Sequence, residues 1–239
     1  MKKKCFWGYT ILLLCIFEAM NIRNVNIHSQ KYRLWSRLFI FLFLYFYWLM
    51  VKITCYYIPI SPNAAFLQIK QTEVQTRPEY IYLFYAHVYS SIFVLLAGFV
   101  QFFRFKGSLG RKIHRIAGYQ YVVLLLILAA PSGIYMGWYA NGGITSRISF
   151  MLLGLLWWIT TFIAMHKIRT KQYTAHRSWM IRSFALSLSA VTLRLWKVTL
   201  VCLFHPAPMD VYQIVAWLGW VPNIIIAEII IRNQQNTNQ

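Results

Sequence analysis

Long apolar runs, separated by short clusters of basic residues, dominate this chain. Six runs are long enough to cross a bilayer as helices: residues 38–58, 80–103, 116–139, 148–166, 179–204 and 211–231. A helix needs about 20 mostly apolar residues to span a hydrocarbon core of about 30 Å. No run alternates apolar and polar residues over about ten positions between turns, as the strands of a membrane barrel do. The pattern predicts an all-α, polytopic integral membrane bundle of six transmembrane helices. Short linkers make sequential helices antiparallel neighbours in one domain, residues 31–232. Residues 233–239 read as a polar tail.

The basic clusters orient the bundle. Lys2, Lys3, Lys4, Arg23, Lys31, Arg33 and Arg37 precede the first run, and Arg104, Lys106, Arg111, Lys112 and Arg115 lie between the second and third. Lys167, Arg169, Lys171 and Arg177 lie between the fourth and fifth, and Arg232 follows the last. The opposite side holds Lys70, Arg77 and Arg147, mixed with Glu73, Glu79 and Asp210. Cationic segments stay in the cytoplasm, so both termini are expected there and the protein in the cell membrane. Residues 1–30 pair Met1–Lys4 with an apolar stretch but show no small-residue cleavage pattern. They read as a basic, apolar extension, interfacial or unordered.

Composition narrows the class. Of 239 residues, 59% are hydrophobic and only 12% charged, too few to cover a soluble surface. Disorder is excluded by the wealth of aromatic and aliphatic residues. The net charge of +19 comes in short clusters between apolar runs, which points away from nucleic acid and towards anionic lipid headgroups at the cytoplasmic face. Cys5, Cys15, Cys55 and Cys202 form no Cys-x-x-Cys pair and read as small packing residues.

Candidate chemistry lies in polar stripes, because polar residues inside a membrane face the bundle interior. The second run aligns His87, Ser91, Gly98 and Gln101 on one helical face, and the third aligns His114, Gly118, Tyr121, Ser132 and Tyr135. The fifth aligns His176, Ser183, Ser187, Ala190, Arg194 and Lys197. Gly154, Trp158 and Thr161 of the fourth read as packing residues. Pro131 and Pro222 are expected to kink the third and sixth helices and free carbonyls. By depth, His114, His166 and His176 gather at the inner ends, and His87, Arg194 and Lys197 share an outer zone. Glu228 and Arg182, both near inner ends of neighbouring helices, are expected to pair.

The stretch from Tyr85 to Leu200 carries a sequence of motifs. His87 is followed by Ala97-Gly98-Phe99-Val100-Gln101-Phe102, then by His114-Arg115-Ile116-Ala117-Gly118-Tyr119. His176-Arg177-Ser178-Trp179-Met180-Ile181-Arg182-Ser183 and Thr192-Leu193-Arg194-Leu195 come later. Their order and spacing resemble the predicted membrane proteins of domain-of-unknown-function family 2306 (DUF2306), over about residues 80–204. The resemblance leaves out residues 1–79 and the last run. It implies a polytopic membrane protein with His87, Gln101, His114, Gly118, His176, Arg177, Trp179, Arg182 and Arg194 as signature positions. It supplies no reaction.

Two readings compete. One is a b-type haem site for electron transfer, with His114 and His176 as axial ligands at one depth. Gly118 would admit the flat ring, and Arg115, Arg177 and Arg182 would meet propionates. The other is a proton-coupled transporter, or a binding protein for small molecules or lipids. Its polar pocket is His87, Gln101, Arg194 and Lys197, with His87 the titrating group. A metal cluster of His114, His166 and His176 is a weaker third, and no hydrolase or transferase signature is visible. A reporter fused at residue 172 is expected to give a cytoplasmic signal. An extracytoplasmic signal would invert the topology.

Overall fold

The computed structural model describes residues 30–102, 107–205 and 207–236, with 30–36, 39, 65 and 208 by backbone alone. The expected extension at residues 1–30 therefore lies outside the described residues except for Gln30. So do Arg104 and Lys106 of the second basic cluster and residues 237–239 of the tail. Every regular element among the described residues is helical, as the apolar periodicity predicts.

Helix α1 spans Gln30–Cys55. A tight turn of helix, Ala65–Lys70, leads into the short α2, Gln71–Thr76. Helices α3 (Pro78–Val100), α4 (Gly107–Trp138), α5 (Gly143–Arg169), α6 (Tyr173–Phe204) and α7 (Met209–Asn236) follow. These last five are long and apolar enough to cross a membrane, whereas α1 contributes a shorter apolar stretch, Ile40–Cys55. Local chemistry sets several ends. Pro78 occupies the first turn of α3, where its missing N–H loses nothing, and Glu79 beside it complements the helix dipole. Gly142 precedes α5 at φ 84°, open to glycine, and His166, Lys167 and Arg169 fill the last turn, facing its negative end.

Helix α5 is the hub, packing on α4, on the first half of α6 and on the first half of α7. Small residues permit the approach. A Cβ on Gly154 would stand 2.6 Å from Ile134 Cγ1 of α4, and one on Gly137 would stand 3.2 Å from the backbone of α5. Gly98 of α3 faces the rings of Phe184 and Tyr121. Helix α1 leans on α3, where Phe43 stacks on Phe99 with ring centroids 3.5 Å apart.

Hydroxyls join the helices at the centre. The Tyr121 hydroxyl of α4 lies 2.7 Å from Ser183 Oγ and 2.9 Å from Ser187 Oγ of α6. From α5, Trp157 Nε1 donates to Ser187 Oγ at 2.9 Å and Thr161 Oγ1 lies 2.6 Å from Ser183 Oγ. All five side chains are buried, and each finds a partner, which a hydrocarbon surround demands.

Three helices are interrupted near mid-length. In α4 a π-helical turn, Leu125–Ala129, precedes Pro131. Helix α6 turns at Leu188, between Tyr173–Ser187 and Ser189–Phe204. Helix α7 breaks at Gly219 and Trp220, between Pro208–Leu218 and Val221–Asn236. Neighbours supply the missing donors. Trp158 Nε1 of α5 donates to the Leu126 carbonyl at 3.2 Å, the position five residues before Pro131. Thr192 of α6 donates to the Gly219 carbonyl. Asn223 Nδ2 donates to the Ala185 carbonyl at 3.2 Å and to Thr192 Oγ1 at 3.0 Å. Ser149 Oγ of α5 donates to the Ala216 carbonyl at 2.8 Å and accepts from Trp220 Nε1 at 3.0 Å. Irregularities thus fall beside both Pro131 and Pro222, and a third, at Leu188, has no proline to announce it.

Gly98→Ala tests this packing. Its methyl would sit 2.6 Å from Phe184 Cδ2 and 2.8 Å from Tyr121 Cε2, both in buried rings. The substitution is expected to destabilise the detergent-purified protein by about 1–3 kcal/mol in a thermal or denaturant melt. An unchanged melt would contradict the close approach.

Candidate functional site

His87 stands on α3, half-buried, one turn before Ser91. Its Nδ1 lies 2.8 Å from the Ala129 carbonyl at the end of the π-helical turn. A carbonyl only accepts, so Nδ1 carries the proton, and Nε2 of the neutral ring is left as an acceptor. Gly133 makes room for the ring. A Cβ there would lie 2.9 Å from His87 Cε1 and 3.1 Å from Nδ1. The helix irregularity near Pro131 and the glycine beyond it therefore set the imidazole in place.

Arg194 enters from α6, just past the Leu188 turn. Its Nη1 donates to the Ala190 carbonyl, one turn back, at 2.6 Å. Its side chain is exposed, on the half of α6 that packs against α1. Ser91 Oγ, one turn past His87 on α3, is buried without a hydrogen-bond partner among the described residues. At about 1.5 Å per residue, His87 lies about 14 Å from the start of α3 and Arg194 about 15 Å from the end of α6. The two residues thus lie at similar distances from the ends of their helices. Lys197, one turn further along α6, is exposed.

No carboxylate among the described residues pairs with Arg194. Glu73 binds Lys70, Glu228 binds Arg182, Glu79 accepts from Tyr135 at 2.8 Å, and Asp210 is exposed in the first turn of α7.

The inner candidates are arranged differently. Gln101 does not continue the His87 pocket: its Nε2 donates to the His114 carbonyl at 2.9 Å, tying α3 to α4. The same amide covers Gly118, within 3.6 Å of where a Cβ would be. The face of Gly118 expected to admit a flat ring is thus lined by Gln101. His114 is exposed and about 36 Å from the C-terminal end of α4, more than a hydrocarbon core of about 30 Å. His176 is half-buried, with Nδ1 2.8 Å from the Ala164 carbonyl of α5. Arg182 meets Glu228 of α7 through two bonds, Nε at 2.5 Å and Nη2 at 2.9 Å, as the sequence predicts. Its guanidinium also lies 4.6 Å from the Trp179 ring, so it is committed within the bundle. Arg115 is exposed and Arg177 half-buried. Among the described residues no group of three or more His, Cys, Asp or Glu is placed to hold a metal ion. His114, His166 and His176 are therefore not brought together as the cluster the sequence suggested. Cys55 and Cys202 are free thiols, both exposed.

The model of the predicted membrane protein family DUF2306 matches residues 84–231. The chain belongs to this family. The DUF2306 match starts just before His87 and runs into α7 as far as Ile231, which the motif resemblance did not reach. It takes in His87, Arg194, Arg182 and Glu228, and leaves α1 and α2 outside. No curated protein and no solved structure matches the chain.

Outside the DUF2306 match sits a residue the sequence reading missed. Lys70 appeared there as one of the few outer-loop cations, yet it is 1% exposed. Its Nζ donates to Glu73 Oε1 at 2.8 Å, to the Tyr139 carbonyl and to Asn141 Oδ1. Tyr80 packs edge-on against Tyr139, and Arg77 lies 5.8 Å from the same ring. The Lys-x-x-Glu spacing was the one local signal; the partners at 139 and 141 are remote in sequence.

Gly133→Ala should displace the His87 ring and weaken its bond to Ala129. A loss of about 1–2 kcal/mol in thermal stability is expected. Exposed Gly143, with nothing within 4 Å of an added Cβ, is the comparison site; its Ala variant changes only local backbone strain at φ 76°. Equal effects at 133 and 143 would mean that His87 is not wedged as described.

Proposed function

We propose that this DUF2306 member is a six-span protein of the cell membrane, both termini cytoplasmic, that binds a small anion at Arg194, with His87 at a similar depth, and carries it across. The observation behind this reading is Arg194: a guanidinium about 15 Å from its helix end with no carboxylate partner among the described residues. A cation at such depth is costly, about 3 kcal/mol on insertion scales, and marks a binding site or a watery path. His87 and the buried Ser91 hydroxyl, one turn apart on α3, offer further polar groups at a similar distance from the helix end. Transport draws support from the interruptions of α4, α6 and α7, since discontinuous helices build the midplane sites of transporters. The six-span count adds α1 to the five longer helices, and the basic clusters support the orientation. Arg111, Lys112, Arg115 and Arg169, exposed near inner helix ends, suit anionic lipid headgroups.

A second reading, haem b on His114 and His176, keeps one favourable feature. His176 Nδ1 is held by the Ala164 carbonyl, which leaves Nε2 outward, as in a ligating histidine. Gln101 on Gly118 and Glu228 on Arg182 count against it.

Two measurements test the pair. Replacing chloride by formate, mole for mole, should raise the thermal midpoint of the purified protein. Arg194→Ala should lose that shift and Arg169→Ala keep it. Equal shifts in both variants, or none in the wild type, would overturn the anion site. Visible spectra of air-oxidised and dithionite-reduced protein from haem-supplied cells are expected to be featureless. A Soret band that sharpens on reduction would instead establish the haem reading.

A further inference from the structure

We infer that a small monovalent cation of the size of sodium binds where α6 and α7 are both interrupted, with the side-chain oxygen of Asn223 as its central ligand. This goes beyond the anion reading and does not rest on it.

Two broken helices meet at one level. The turn at Leu188 ends the first half of α6, and Gly219 and Trp220 end the first half of α7. The first half of α6 packs on the second half of α7, and the second half of α6 on the first half of α7. Asn223, in the first turn of the second half of α7, bridges the two breaks. Its Nδ2 donates to the Ala185 carbonyl at 3.2 Å, to Thr192 Oγ1 at 3.0 Å and to the Gly219 carbonyl at 3.2 Å. Ala185 lies in the last turn of one half-helix, and Gly219 caps the other. Two C-terminal ends, each carrying about half a negative charge, therefore converge on one amide.

That amide is satisfied on one side only. Carbonyls only accept, so Nδ2 must face Ala185 and Gly219, and the group cannot be turned over. Its Oδ1 is buried without a hydrogen-bond partner among the described residues, in a side chain 4% exposed. Planar geometry holds Oδ1 about 2.3 Å from Nδ2, hence within about 5.5 Å of both carbonyls and of Thr192 Oγ1.

The oxygens in that reach offer lone pairs. Thr192 spends its hydrogen on the Gly219 and Leu188 carbonyls. Pro222 has no N–H to give the Leu218 carbonyl, next to Gly219. Donors nearby are spent: Ser149 Oγ on the Ala216 carbonyl and Trp220 Nε1 on Ser149. A buried acceptor among acceptors calls for positive charge, and interrupted helices present such carbonyls and C-terminal ends to sodium in transporters. Glu228, five residues on, is held by Arg182, so the ligand oxygens are neutral and suit a singly charged ion better than calcium. Arg194 does not compete. It is exposed, about 200° round α6 from the buried Thr192.

The full-length, detergent-purified protein is melted in mixtures of sodium chloride and choline chloride at constant ionic strength. The thermal midpoint is expected to rise with sodium, and with the logarithm of its concentration once the site fills. Asn223→Leu removes both polar atoms of the amide and should lose this dependence. Ser178→Ala, near the other end of α6, should keep it. Asn223→Asp sets a charged oxygen in the same volume and is expected to respond at about one-tenth of the sodium concentration. No difference between sodium and choline in the wild type overturns the inference and leaves Oδ1 to water. A sodium response that survives Asn223→Leu overturns the assignment to Asn223. Should Asn223→Leu fail to fold, Asn223→Asp decides: a response unchanged or weaker overturns it. Chloride is the same in every mixture, so none of these outcomes bears on the anion site.

Discussion

A carbonyl that loses its amide donor inside hydrocarbon has no water to turn to. That constraint organises this bundle. Proline and the interruptions at Leu125–Ala129, Leu188 and Gly219–Trp220 each disturb the helical ladder, and side chains of adjacent helices reach across to repair it. Trp158 serves Leu126, His87 serves Ala129, Thr192 serves Gly219, Asn223 serves Ala185 and Ser149 serves Ala216. The helices are held in register by repairs as much as by packing. The Ala129 carbonyl, which also accepts from Ser132 Oγ at 3.2 Å, fixes the His87 tautomer in the same way.

The same logic explains which parts of the molecule were legible in the sequence. Spans follow from hydropathy, and the stripes of α3, α4 and α6 follow from a period of 3.6. So Tyr121, Ser183 and Ser187 fall on facing stripes and meet, and the Arg182–Glu228 pair follows from matched depth on neighbouring helices. His87 and Arg194 lie at similar distances from their helix ends for the same reason. Helical periodicity does not say which residue of a stripe is captured by a neighbour's backbone. Gln101 belongs to the His87 stripe by spacing, yet it turns to the end of α4 and covers Gly118. The Leu188 turn was unreadable because no proline or glycine marks it. Lys70 was misread because its acceptors at Tyr139 and Asn141 lie across the chain, where local pattern carries no information.

Charge sets a second boundary. With 24 Lys and Arg against 5 Asp and Glu, acidic partners are scarce. Glu73 and Glu228 are engaged at opposite ends of the bundle, each where a cation would otherwise be stranded. Pairs of this kind lower the penalty of a partly buried charge without adding much stability. What they leave over is informative: positive charge that remains unmatched at depth requires water, lipid or a ligand.

The Lys70 clasp has a mechanical consequence. One ammonium joins the segment between α1 and α3 to the turn between α4 and α5, with the Tyr80, Tyr135 and Tyr139 rings packed beneath it. The tops of α3, α4 and α5 are thereby riveted into a single plate. Tyr212 of α7 packs against Gly142 in that turn. The half of α6 that carries Arg194 leans instead on the first half of α7, with Thr192 bonded to Gly219. Motion at this end would carry α3, α4 and α5 as one body, joined by a lysine on a different helix from Arg194.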